Sequence, residues 1–487
     1  MADAHVWRDK KARTASRLPG YLIYPCLQSV KRKNPAPAMK RLFGTDGIRG
    51  VANEHPVTVC MANRLGRAVV KALGEKNGVR VLIGRDTRES GGMLEDGLVA
   101  GLVRAGARTI RLGVVPSPTV ALLVREMGAH TGVMLTASHN PHTDNGMKVF
   151  GTGGFKLSDE IEAEIETLLL SDGWMVDAVE EGSVEEGSVE DFPEGLRKYV
   201  ECAKASIDGM DLTGLKVVID AGNGAGFEAG PQIFRELGAE VIAMAVTPDG
   251  RNINESCGAL HAEQAGKLVR ESGADLGVSL DGDADRVIFT DAHGNTLSGD
   301  RIMAMCAISL KHAGKLRGDA MVATVMSNLG MDEALRAEGI SVFRAGVGDR
   351  KVLEMMREKG IVFGGENSGH LIFAEHATTG DGIVSALQVC RMMKESGKTL
   401  AELASVMREY PSTLLNLPVR EKTPIGDLPK LTALISMAEK SFGTEGRQLV
   451  RYSGTENKIR VLVEHRDADT VDHWIAKFRD TIKEEIG

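Results

Sequence analysis

The sequence predicts an α/β protein made of three tandem doubly wound α/β domains and a smaller C-terminal α+β domain, arranged around a central cleft. A strand–helix–strand–helix–strand pattern occurs three times in succession, and this alternation is typical of sheets with helices on both faces. The chain of 487 residues is also long enough for about three or more domains of roughly 150 residues each.

Each module opens with a short β-branched strand that ends in a polar turn. The predicted first strands are residues 79–85, 215–220 and 320–326. A helical stretch follows each turn and ends at Gly106, Gly238 or Gly339, since glycine commonly terminates a helix. A second strand, a second helix and a third strand complete every module. We therefore expect parallel sheets flanked by helices.

Shifts in composition divide the chain into five segments. They are a basic N-terminal extension of residues 1–38, expected to be disordered, and domains at residues 39–190, 191–291, 292–408 and 409–487. The first domain ends in an acidic stretch in which EEGSV occurs twice, from Glu180 and from Glu185. Repelling carboxylates with glycine and serine are typical of a solvated connector.

Composition and charge exclude several classes of protein. The formal net charge of −8 argues against a general nucleic-acid binder, which needs a broad basic face. No apolar run approaches the roughly 20 residues of a membrane helix, so no membrane association is expected. The extension carries eight basic and two acidic residues but no apolar stretch of secretory type. Six scattered cysteines without a C-x-x-C pair complete the prediction of a cytoplasmic protein.

Polar side chains follow the third strand of every module. In open α/β sheets, ligands bind beyond the carboxyl ends of the strands. The first module places Ser138 there, the second an aspartate cluster, and the third Glu366 with His370. A histidine by itself would fit a structural role, but Glu366 and Ser368 beside it favour a site. Three modules that face one cleft would combine a nucleophile, a metal site and a recognition loop.

The aspartate cluster is DGDADR, with carboxylates at Asp281, Asp283 and Asp285. Carboxylates at alternate positions can converge in a turn, and hard oxygen ligands suit Mg²⁺. A calcium-binding EF-hand is excluded because its sixth position, normally glycine, is Arg286, and its twelfth, normally glutamate, is Ala292. The remaining alternative is a solvated acidic turn without a metal.

Ser138 lies in the segment TASHNP, residues 136–141. A serine hydroxyl is a poor nucleophile without activation, and no G-x-S-x-G elbow surrounds this one. Phosphorylation would change its role, because a phosphoserine carries about −2 charge and could complete the coordination of a Mg²⁺ held by the aspartates. An ordinary serine and asparagine turn is the alternative.

The C-terminal domain contains the loop RYSGTENKIR, residues 451–460. Backbone N–H groups near Gly454 and the hydroxyls of Ser453 and Thr455 could hold a phosphate, and Arg451 could add a bidentate contact. A plain surface turn is the alternative. Because the chain has neither a dinucleotide fingerprint nor a Walker A motif, neither NAD nor a nucleoside triphosphate is expected.

Together these motifs resemble the α-D-phosphohexomutase superfamily, and the similarity runs from Met39 to the C-terminus. In chain order they are FGTDGIRG, TASHNP, NGMK, DGDADR, VGDR, GENSGH, TTGDG and RYSGTENKIR. Within the superfamily, the opening segment, VGDR and GENSGH are most similar to the branch that acts on glucosamine phosphates. Asn367 stands where many relatives have glutamine, and the N-terminal extension is outside the family pattern.

The resemblance implies an isomerase that interconverts glucosamine 6-phosphate and glucosamine 1-phosphate, on the route to UDP-N-acetylglucosamine and cell-wall precursors. It implies a glucosamine 1,6-bisphosphate intermediate and makes Lys148 and His370 candidates for the general base. The implied ligands of one Mg²⁺ are an oxygen of phosphorylated Ser138 and the carboxylates of Asp281, Asp283 and Asp285. The implied substrate contacts are Arg49, Arg286, Glu366, Ser368, Arg451, Ser453, Gly454 and Thr455.

The sequence is also compatible with two other functions. A phosphomannomutase/phosphoglucomutase would share the chemistry and differ in its sugar. A non-catalytic sugar-phosphate sensor on the same scaffold would be expected to lose the serine or an aspartate, and this chain keeps both. The implied partner is a small sugar phosphate, and the oligomeric state is left open, with a homodimer as one option.

Overall fold

The computed structural model describes residues 42–44, 46–74, 78–171, 187–453 and 457–487. The predicted N-terminal extension and most of the EEGSV connector lie outside these ranges. The described residues form three α/β domains, each with its own sheet, and a smaller domain with a three-stranded sheet, so the predicted fold class is confirmed. Every helix in these ranges is too short or too polar to span a bilayer.

The first domain contains a six-stranded mixed sheet. Its strands are β1 Ile48–Val51, β2 Arg80–Arg85, β3 Arg108–Val114, β4 Thr131–Leu135, β5 Asp144–Phe150 and β6 Ser188–Asp191. They lie in the order β1-β5-β4-β2-β3-β6, and β5 is antiparallel to both β4 and β1. The helices are Val59–Ala72, Gly91–Arg104, Ser117–Glu126 and Asp159–Leu170, with a short 3₁₀ turn at Thr152–Gly154.

The second domain contains a five-stranded sheet. Its strands are β7 Lys216–Asp220, β8 Glu240–Met244, β9 Leu276–Leu280, β10 Val287–Asp291 and β11 Thr296–Leu297, in the order β11-β10-β9-β7-β8. Its helices are Glu194–Ala205, Ala229–Glu236 and Ala262–Ser272, with a 3₁₀ turn at Gly258–His261. Because β11 pairs with β10, this sheet extends past the predicted boundary at residue 291.

The third domain contains a four-stranded sheet. Its strands are β12 Ala320–Thr324, β13 Ser341–Ala345, β14 Phe363–Gly365 and β15 Leu371–Phe373, in the order β13-β12-β14-β15. Its helices are Gly299–His312, Leu329–Ala337, Asp349–Lys359, Gly382–Ser396 and Leu400–Ala404, with a 3₁₀ turn at Arg317–Asp319.

The three large sheets share one arrangement of strands. The first strand of each module, β2, β7 or β12, lies between its second and third strands and runs parallel to both. After the third strand the chain turns back as an antiparallel strand, β5, β10 or β15. The three module strands of each sheet are parallel as expected, and the sheets are mixed because each also contains an antiparallel return strand that was not predicted. The return strands turn each third-strand loop into a hairpin loop.

Close packing of helices explains part of the high glycine content. The helices Val59–Ala72 and Gly91–Arg104 cross so closely that a Cβ on Gly101 would lie 2.0 Å from the carbonyl oxygen of Asn63. A Cβ on Gly66 would likewise lie 2.6 Å from the carbonyl oxygen of Leu98. Larger residues at these positions would push the helices apart.

The fourth domain is an antiparallel sheet covered by two helices. Its strands are β16 Ser412–Pro418, β17 Gly446–Tyr452 and β18 Lys458–His465, in the order β16-β18-β17, and its helices are Pro429–Phe442 and Ala468–Ile486, with a 3₁₀ turn at Ile425–Asp427. Arg447 on β17 donates hydrogen bonds to the carbonyl oxygens of Val325 at 3.0 Å and Ser327 at 2.6 Å. The fourth domain is thereby joined to the third.

Candidate active site

Three hairpin loops, one from each α/β domain, meet at the candidate active site. They follow β4, β9 and β14 and comprise residues 136–143, 281–286 and 366–370. The Ser138 hydroxyl in the first loop donates a hydrogen bond to Asp281 Oδ2 in the second, at 2.5 Å. His370 at the end of the third loop has its Nδ1 3.7 Å from Asp285 Oδ1. The structure thus brings together side chains that are far apart in the sequence.

Ser138 is fully buried and has a left-handed backbone, with φ of 53°. Its N–H donates to Thr136 Oγ1 at 2.9 Å. Its carbonyl oxygen accepts hydrogen bonds from Arg88 Nη2 at 3.0 Å and from Asn254 Nδ2 at 2.9 Å. A left-handed conformation at a residue other than glycine is unfavourable by about 1–3 kcal/mol and persists only where the surroundings fix it.

The three aspartates of DGDADR form a compact buried triad. One carboxylate oxygen from each of Asp281, Asp283 and Asp285 lies within 4.8 Å of the others. Burial raises the pKa of Asp281 well above its usual value, and the neighbouring carboxylates of Asp285 and Asp283 raise it further. Burial also raises the pKa of Asp285, but Lys148 and His370 outweigh this effect and lower it well below its usual value.

Lys148 on β5 supplies a positive charge beside the triad. Its Nζ lies 2.7 Å from Asp283 Oδ2, 2.8 Å from Asp285 Oδ2 and 2.9 Å from Asp46 Oδ2. Burial alone lowers the pKa of Lys148, but Asp283, Asp285 and Asp46 outweigh it and raise the pKa well above its usual value. Lys148 is therefore an ammonium ion in this arrangement.

His370 connects the triad to the third domain. Its Nε2 accepts a hydrogen bond from the Gly380 N–H at 3.0 Å and lies 3.4 Å from Asp349 Oδ2. Burial lowers the pKa of His370, but Asp285 and Asp349 outweigh burial and raise it overall. In the same loop, Glu366 Oε1 accepts a hydrogen bond from the Gly348 N–H at 3.1 Å.

Two predicted arginines border the cluster. Arg286 Nη1 lies 3.1 Å from His139 Nδ1, and Arg286 N donates to Asp281 Oδ1 at 3.1 Å. Burial lowers the pKa of His139 to about 4, and the nearby Arg286 and Arg49 contribute to the shift. His139 is therefore neutral at pH 7. Arg49 forms an ion pair with Asp46 and its side chain is 22% exposed, so both arginines reach solvent at the rim.

The C-terminal loop begins on β17. Arg451 lies opposite Arg460 in the β17–β18 pairing, and the Ser453 N–H donates to the Lys458 carbonyl at 2.8 Å. Burial and Arg460 lower the pKa of Arg451. The paired arginines place two guanidinium groups on one face at the base of the loop. The predicted contacts Gly454 and Thr455 lie outside the described residues.

Three charged residues of the cluster were not predicted as site residues. Asp46 contacts Lys156 as well as Lys148, Lys156 Nζ lies 2.5 Å from Asp349 Oδ2, and Asp349 contacts His370. Asp46 belongs to FGTDGIRG and Asp349 to VGDR. Both motifs contribute to the resemblance to the superfamily, but no role was predicted for these two residues. Arg88 and Asn254, which bind the Ser138 carbonyl, were also missed.

The buried Ser138 hydroxyl lies in a cluster of carboxylates with an ammonium and imidazoles, and phosphoryl transfer is a reaction that relies on fixed charges of this kind. All four domains match phosphoglucomutase/phosphomannomutase families. Residues 40–174 match alpha/beta/alpha domain I, residues 194–294 domain II, residues 298–410 domain III and residues 414–481 the C-terminal domain. The fold and the site therefore define a phosphohexomutase.

Curated relatives give a narrower family. Phosphoglucosamine mutase from Geotalea daltonii is 46% identical over 454 residues, which cover 92% of this chain and 99% of the relative. Phosphoglucosamine mutase from Sorangium cellulosum is 46% identical over 452 residues, covering 92% and 94%. This chain belongs to the phosphoglucosamine mutase family, which is a family of isomerases.

Solved structures agree with the fold. A phosphoglucomutase/phosphomannomutase family protein from Burkholderia thailandensis has a TM-score of 0.75 at 23% identity and covers 92% of this chain and 98% of its own. The Aspergillus fumigatus N-acetylphosphoglucosamine mutase, solved with GlcNAc-6P and magnesium, has a TM-score of 0.64 at 18% identity, covering 92% and 96%.

Proposed function

We propose that this chain interconverts glucosamine 6-phosphate and glucosamine 1-phosphate by moving a phosphoryl group through Ser138. The observation that carries the proposal is the 2.5 Å hydrogen bond from the buried Ser138 hydroxyl to Asp281, inside a cluster that three domains supply. Membership of the family supports the reaction, and the names of the curated relatives support the amino sugar. The product would serve the synthesis of UDP-N-acetylglucosamine and cell-wall precursors.

The cycle starts from phosphorylated Ser138. A free hydroxyl of the sugar monophosphate attacks the phosphorus, a P–O bond forms to the sugar, and the P–O bond to Ser138 breaks with its electron pair left on Oγ. The sugar proton passes to a general base, and Oγ regains a proton. The resulting glucosamine 1,6-bisphosphate turns over in the cleft, and its other phosphoryl group returns to Ser138 by the reverse step.

Lys148 and His370 are the two candidates for the general base. They flank Asp285 on opposite sides, with Lys148 Nζ 2.8 Å from Oδ2 and His370 Nδ1 3.7 Å from Oδ1. A general base must be within reach of the sugar hydroxyl and must be deprotonated when it accepts the hydroxyl proton. In the arrangement described above, burial is outweighed by neighbouring carboxylates, which raise the pKa of both Lys148 and His370 and thus favour their protonated forms. Both residues contact Asp285, in the same loop as the Asp281 that accepts the Ser138 hydrogen bond, and both stay candidates.

Asp281, Asp283 and Asp285, with an oxygen of phosphorylated Ser138, would hold one Mg²⁺. The triad fits a hard cation because Asp283 Oδ1 and Asp285 Oδ1 are buried acceptors that receive no hydrogen bond from the described residues. When bound, the ion would offset negative charge on the phosphoryl oxygens. The Lys148 ammonium adds a positive charge beside Asp283 and Asp285.

The remaining predicted residues would bind the sugar phosphate. Glu366 and Ser368, in the loop between β14 and β15, would hold sugar hydroxyls. Arg451, Ser453, Gly454 and Thr455 would bind the distal phosphate, and Arg49 and Arg286 would shape the field around the phosphoserine. Placing the phosphate loop on a separate domain lets the cleft open for the bisphosphate to turn over. A homodimer and a cytoplasmic location stay predictions from the sequence.

Turnover of three sugar phosphates tests the proposal. The purified protein is assayed with glucosamine, glucose and mannose 6-phosphates, each with Mg²⁺ and the matching 1,6-bisphosphate. We expect the highest kcat/KM with glucosamine 6-phosphate. A higher value with glucose or mannose would favour the second candidate, a phosphomannomutase/phosphoglucomutase. Absence of turnover with every sugar would favour the non-catalytic sensor.

A further inference from the structure

The backbone of Ser138 is tied to one buried ion pair, Asp86–Arg88. Asp86 is fully buried and Arg88 is 1% exposed. Arg88 Nε donates to Asp86 Oδ2 at 2.9 Å, and the Arg88 backbone N–H donates to Asp86 Oδ1 at 3.0 Å. The pair lies in the turn after β2, in the RDTRESG segment of the first module, to which the proposed chemistry assigns no role.

All five N–H donors of the Arg88 guanidinium are used. One binds Asp86, and the other four bind backbone carbonyl oxygens of the serine loop and of the first residue of β5. Three of these oxygens belong to the loop residues Ser138 at 3.0 Å, Asn140 at 2.8 Å and Pro141, and the fourth belongs to Asp144, the first residue of β5, at 2.9 Å. A guanidinium presents five donors in a rigid planar fork, so the four carbonyls are held in a fixed arrangement.

The ion pair reaches both sides of the Ser138 peptide. Ser138 N–H donates to Thr136 Oγ1 at 2.9 Å, and the Thr136 hydroxyl donates to Asp86 Oδ2 at 2.7 Å. The Ser138 carbonyl accepts directly from Arg88. A closed circuit of hydrogen bonds therefore runs from the N–H of Ser138 through Thr136 and Asp86 to Arg88 and back to its carbonyl.

The second domain also contacts the Ser138 carbonyl oxygen. Asn254 Nδ2 donates to the oxygens of Ser138 at 2.9 Å and Asn140 at 3.1 Å. Gly282 of the DGDADR loop packs so closely that a Cβ there would lie 2.4 Å from the Ser138 carbonyl oxygen. The position of this oxygen thus sets the distance between the serine loop and the aspartate loop.

We propose that Arg88 is a positioning residue for phosphoryl transfer, which holds Ser138 in its left-handed conformation so that Oγ faces Asp281. The proposal rests on the function proposed above and concerns the same site. The φ of 53° is unfavourable for serine, and the circuit through Asp86 and Arg88 fixes it. Phosphoryl transfer needs the attacking and leaving oxygens in line, so a small rotation of Ser138 would slow it.

Lysine cannot replace this arginine, since an ammonium offers three donors on a flexible stem and no planar fork. We expect Arg88→Lys to lower kcat about 100-fold, because a misplacement of about 1 Å can have that effect. KM for the sugar phosphate should change little, since Arg88 is buried behind the loop. Transfer from glucosamine 1,6-bisphosphate to Ser138, followed by intact mass, should slow by the same factor as kcat.

A second pair of variants keeps the test independent of folding defects at Arg88. Thr136→Val removes the hydroxyl that links Ser138 N–H to Asp86 and should lower kcat about tenfold, the effect of roughly one hydrogen bond. Thr136→Ser keeps the hydroxyl and should restore kcat. Arg85→Lys is the matched control, because Arg85 lies on β2 in the same domain but its side chain pairs with Glu95 of the helix Gly91–Arg104.

The outcomes separate the two proposals. If the wild-type protein lacks mutase activity or phosphate on Ser138, the proposed function fails and Arg88 has no transfer to position. If the wild type is active but folded Arg88→Lys and Thr136→Val retain its kcat and transfer rate, the positioning role of Arg88 is wrong. A rise in KM with unchanged kcat would also contradict it, because that pattern reports loss of substrate binding.

Discussion

Charges inside the site occur in alternating order. Buried charged groups are strongly disfavoured unless they are paired, and each carboxylate in this cluster has a cationic or imidazole neighbour. Six side chains, three carboxylates alternating with two lysines and a histidine, form a closed ring that spans three domains. Their order is Asp46, Lys148, Asp285, His370, Asp349 and Lys156. Two carboxylate oxygens of the cluster, Asp283 Oδ1 and Asp285 Oδ1, accept no hydrogen bond from the described residues.

Asp283→Ala tests the metal site at the level of one residue. Removing a ligand should lower mutase activity and raise the Mg²⁺ concentration needed for half-maximal activity, because the triad loses one of its three carboxylates. The measurement is a Mg²⁺ titration of turnover. Asp472→Ala, an exposed aspartate of the last helix, is the control and should titrate like wild type. A variant of Asp283 that Mg²⁺ still activates fully, at the same concentration, would exclude the residue as a ligand.

Asp300 gives a stability prediction that depends on pH. Burial raises the pKa of Asp300 to about 6, although its Oδ2 accepts a hydrogen bond from the Asn328 N–H at 2.9 Å. Between about pH 4 and pH 6 the unfolded chain has lost this proton while the folded protein keeps it, so stability falls as the pH rises. Asp300→Asn cannot titrate and should gain up to about 3 kcal/mol of unfolding free energy relative to wild type across that range.

Denaturant unfolding at pH 4, 5 and 6.5 measures this difference. The Asn variant keeps a side-chain oxygen that can accept from Asn328. Parallel pH profiles for the wild type and Asp300→Asn would contradict the raised pKa.

The sequence predicted best those side chains that lie on short motifs at strand ends. Ser138, the three aspartates and His370 meet as the module repeat implied, because equivalent strand ends of three domains face one another. Arg88 and Lys156 were missed because their contacts come from tertiary packing that no local pattern encodes. Arg88 reads locally as a polar turn residue, and only the folded loop shows its four carbonyl partners.

At the scale of elements, the site is made of hairpins. The predicted third strands exist, but the antiparallel strands β5, β10 and β15 that follow them were not predicted. Short apolar runs do not distinguish a parallel from an antiparallel partner. The hairpin geometry matters for function, because it places Lys148 on β5, across from Met134 on β4 and close to the serine loop.

The helix Gly382–Ser396 packs against the DGDADR loop. Asp381 caps it by accepting from Ile383 N and Val384 N, and the Gly382 N–H donates to the Ala284 carbonyl at 3.0 Å. A Cβ on Gly382 would lie 2.5 Å from the Arg286 carbonyl oxygen. The start of this helix therefore has to be glycine for the DGDADR loop to pack on it.

Gly382→Ala should displace the DGDADR loop. Overpacking at a buried contact lowers stability by about 1–3 kcal/mol, and the half-maximal Mg²⁺ concentration should rise as the triad shifts. Gly92→Ala is the matched control, because Gly92 lies in another helix with open space around its Cβ position. Alanine there should leave stability unchanged or raise it by about 0.5–1 kcal/mol. Equal thermal midpoints and Mg²⁺ titrations for the two variants would contradict the role of Gly382.

At the scale of the whole molecule, the VGDR turn joins the third domain to the first. Asp349 contacts Lys156, and Arg350 Nη1 lies 2.9 Å from Asp159 Oδ1 and 3.1 Å from Glu162 Oε2. The Arg350 side chain is only 14% exposed and that of Glu162 is 19% exposed, so this pair is shielded from water more than ordinary surface pairs are, whereas Asp159 is largely exposed. The two domains that carry Ser138 and His370 are thereby held in register.

Arg350→Ala should loosen this contact. We expect faster hydrogen exchange in the helix Asp159–Leu170, because its first turn loses the guanidinium that binds it. Arg391→Ala is the matched control, since Arg391 is similarly shielded but pairs with Asp208 and Glu395, away from that helix. Unchanged exchange in Asp159–Leu170 after Arg350→Ala, or an equal increase in both variants, would show that the turn does not join the domains.

The most direct test of the whole account is the fate of phosphate at Ser138. The protein is incubated with glucosamine 1,6-bisphosphate, peptides are mapped by mass spectrometry, and mutase turnover is measured in parallel for wild type and Ser138→Ala. We expect one phosphate on Ser138 in the wild type, and near-complete loss of turnover in a Ser138→Ala variant that still folds. Wild-type turnover in Ser138→Ala, or an active wild type with no phosphate on Ser138, would contradict it.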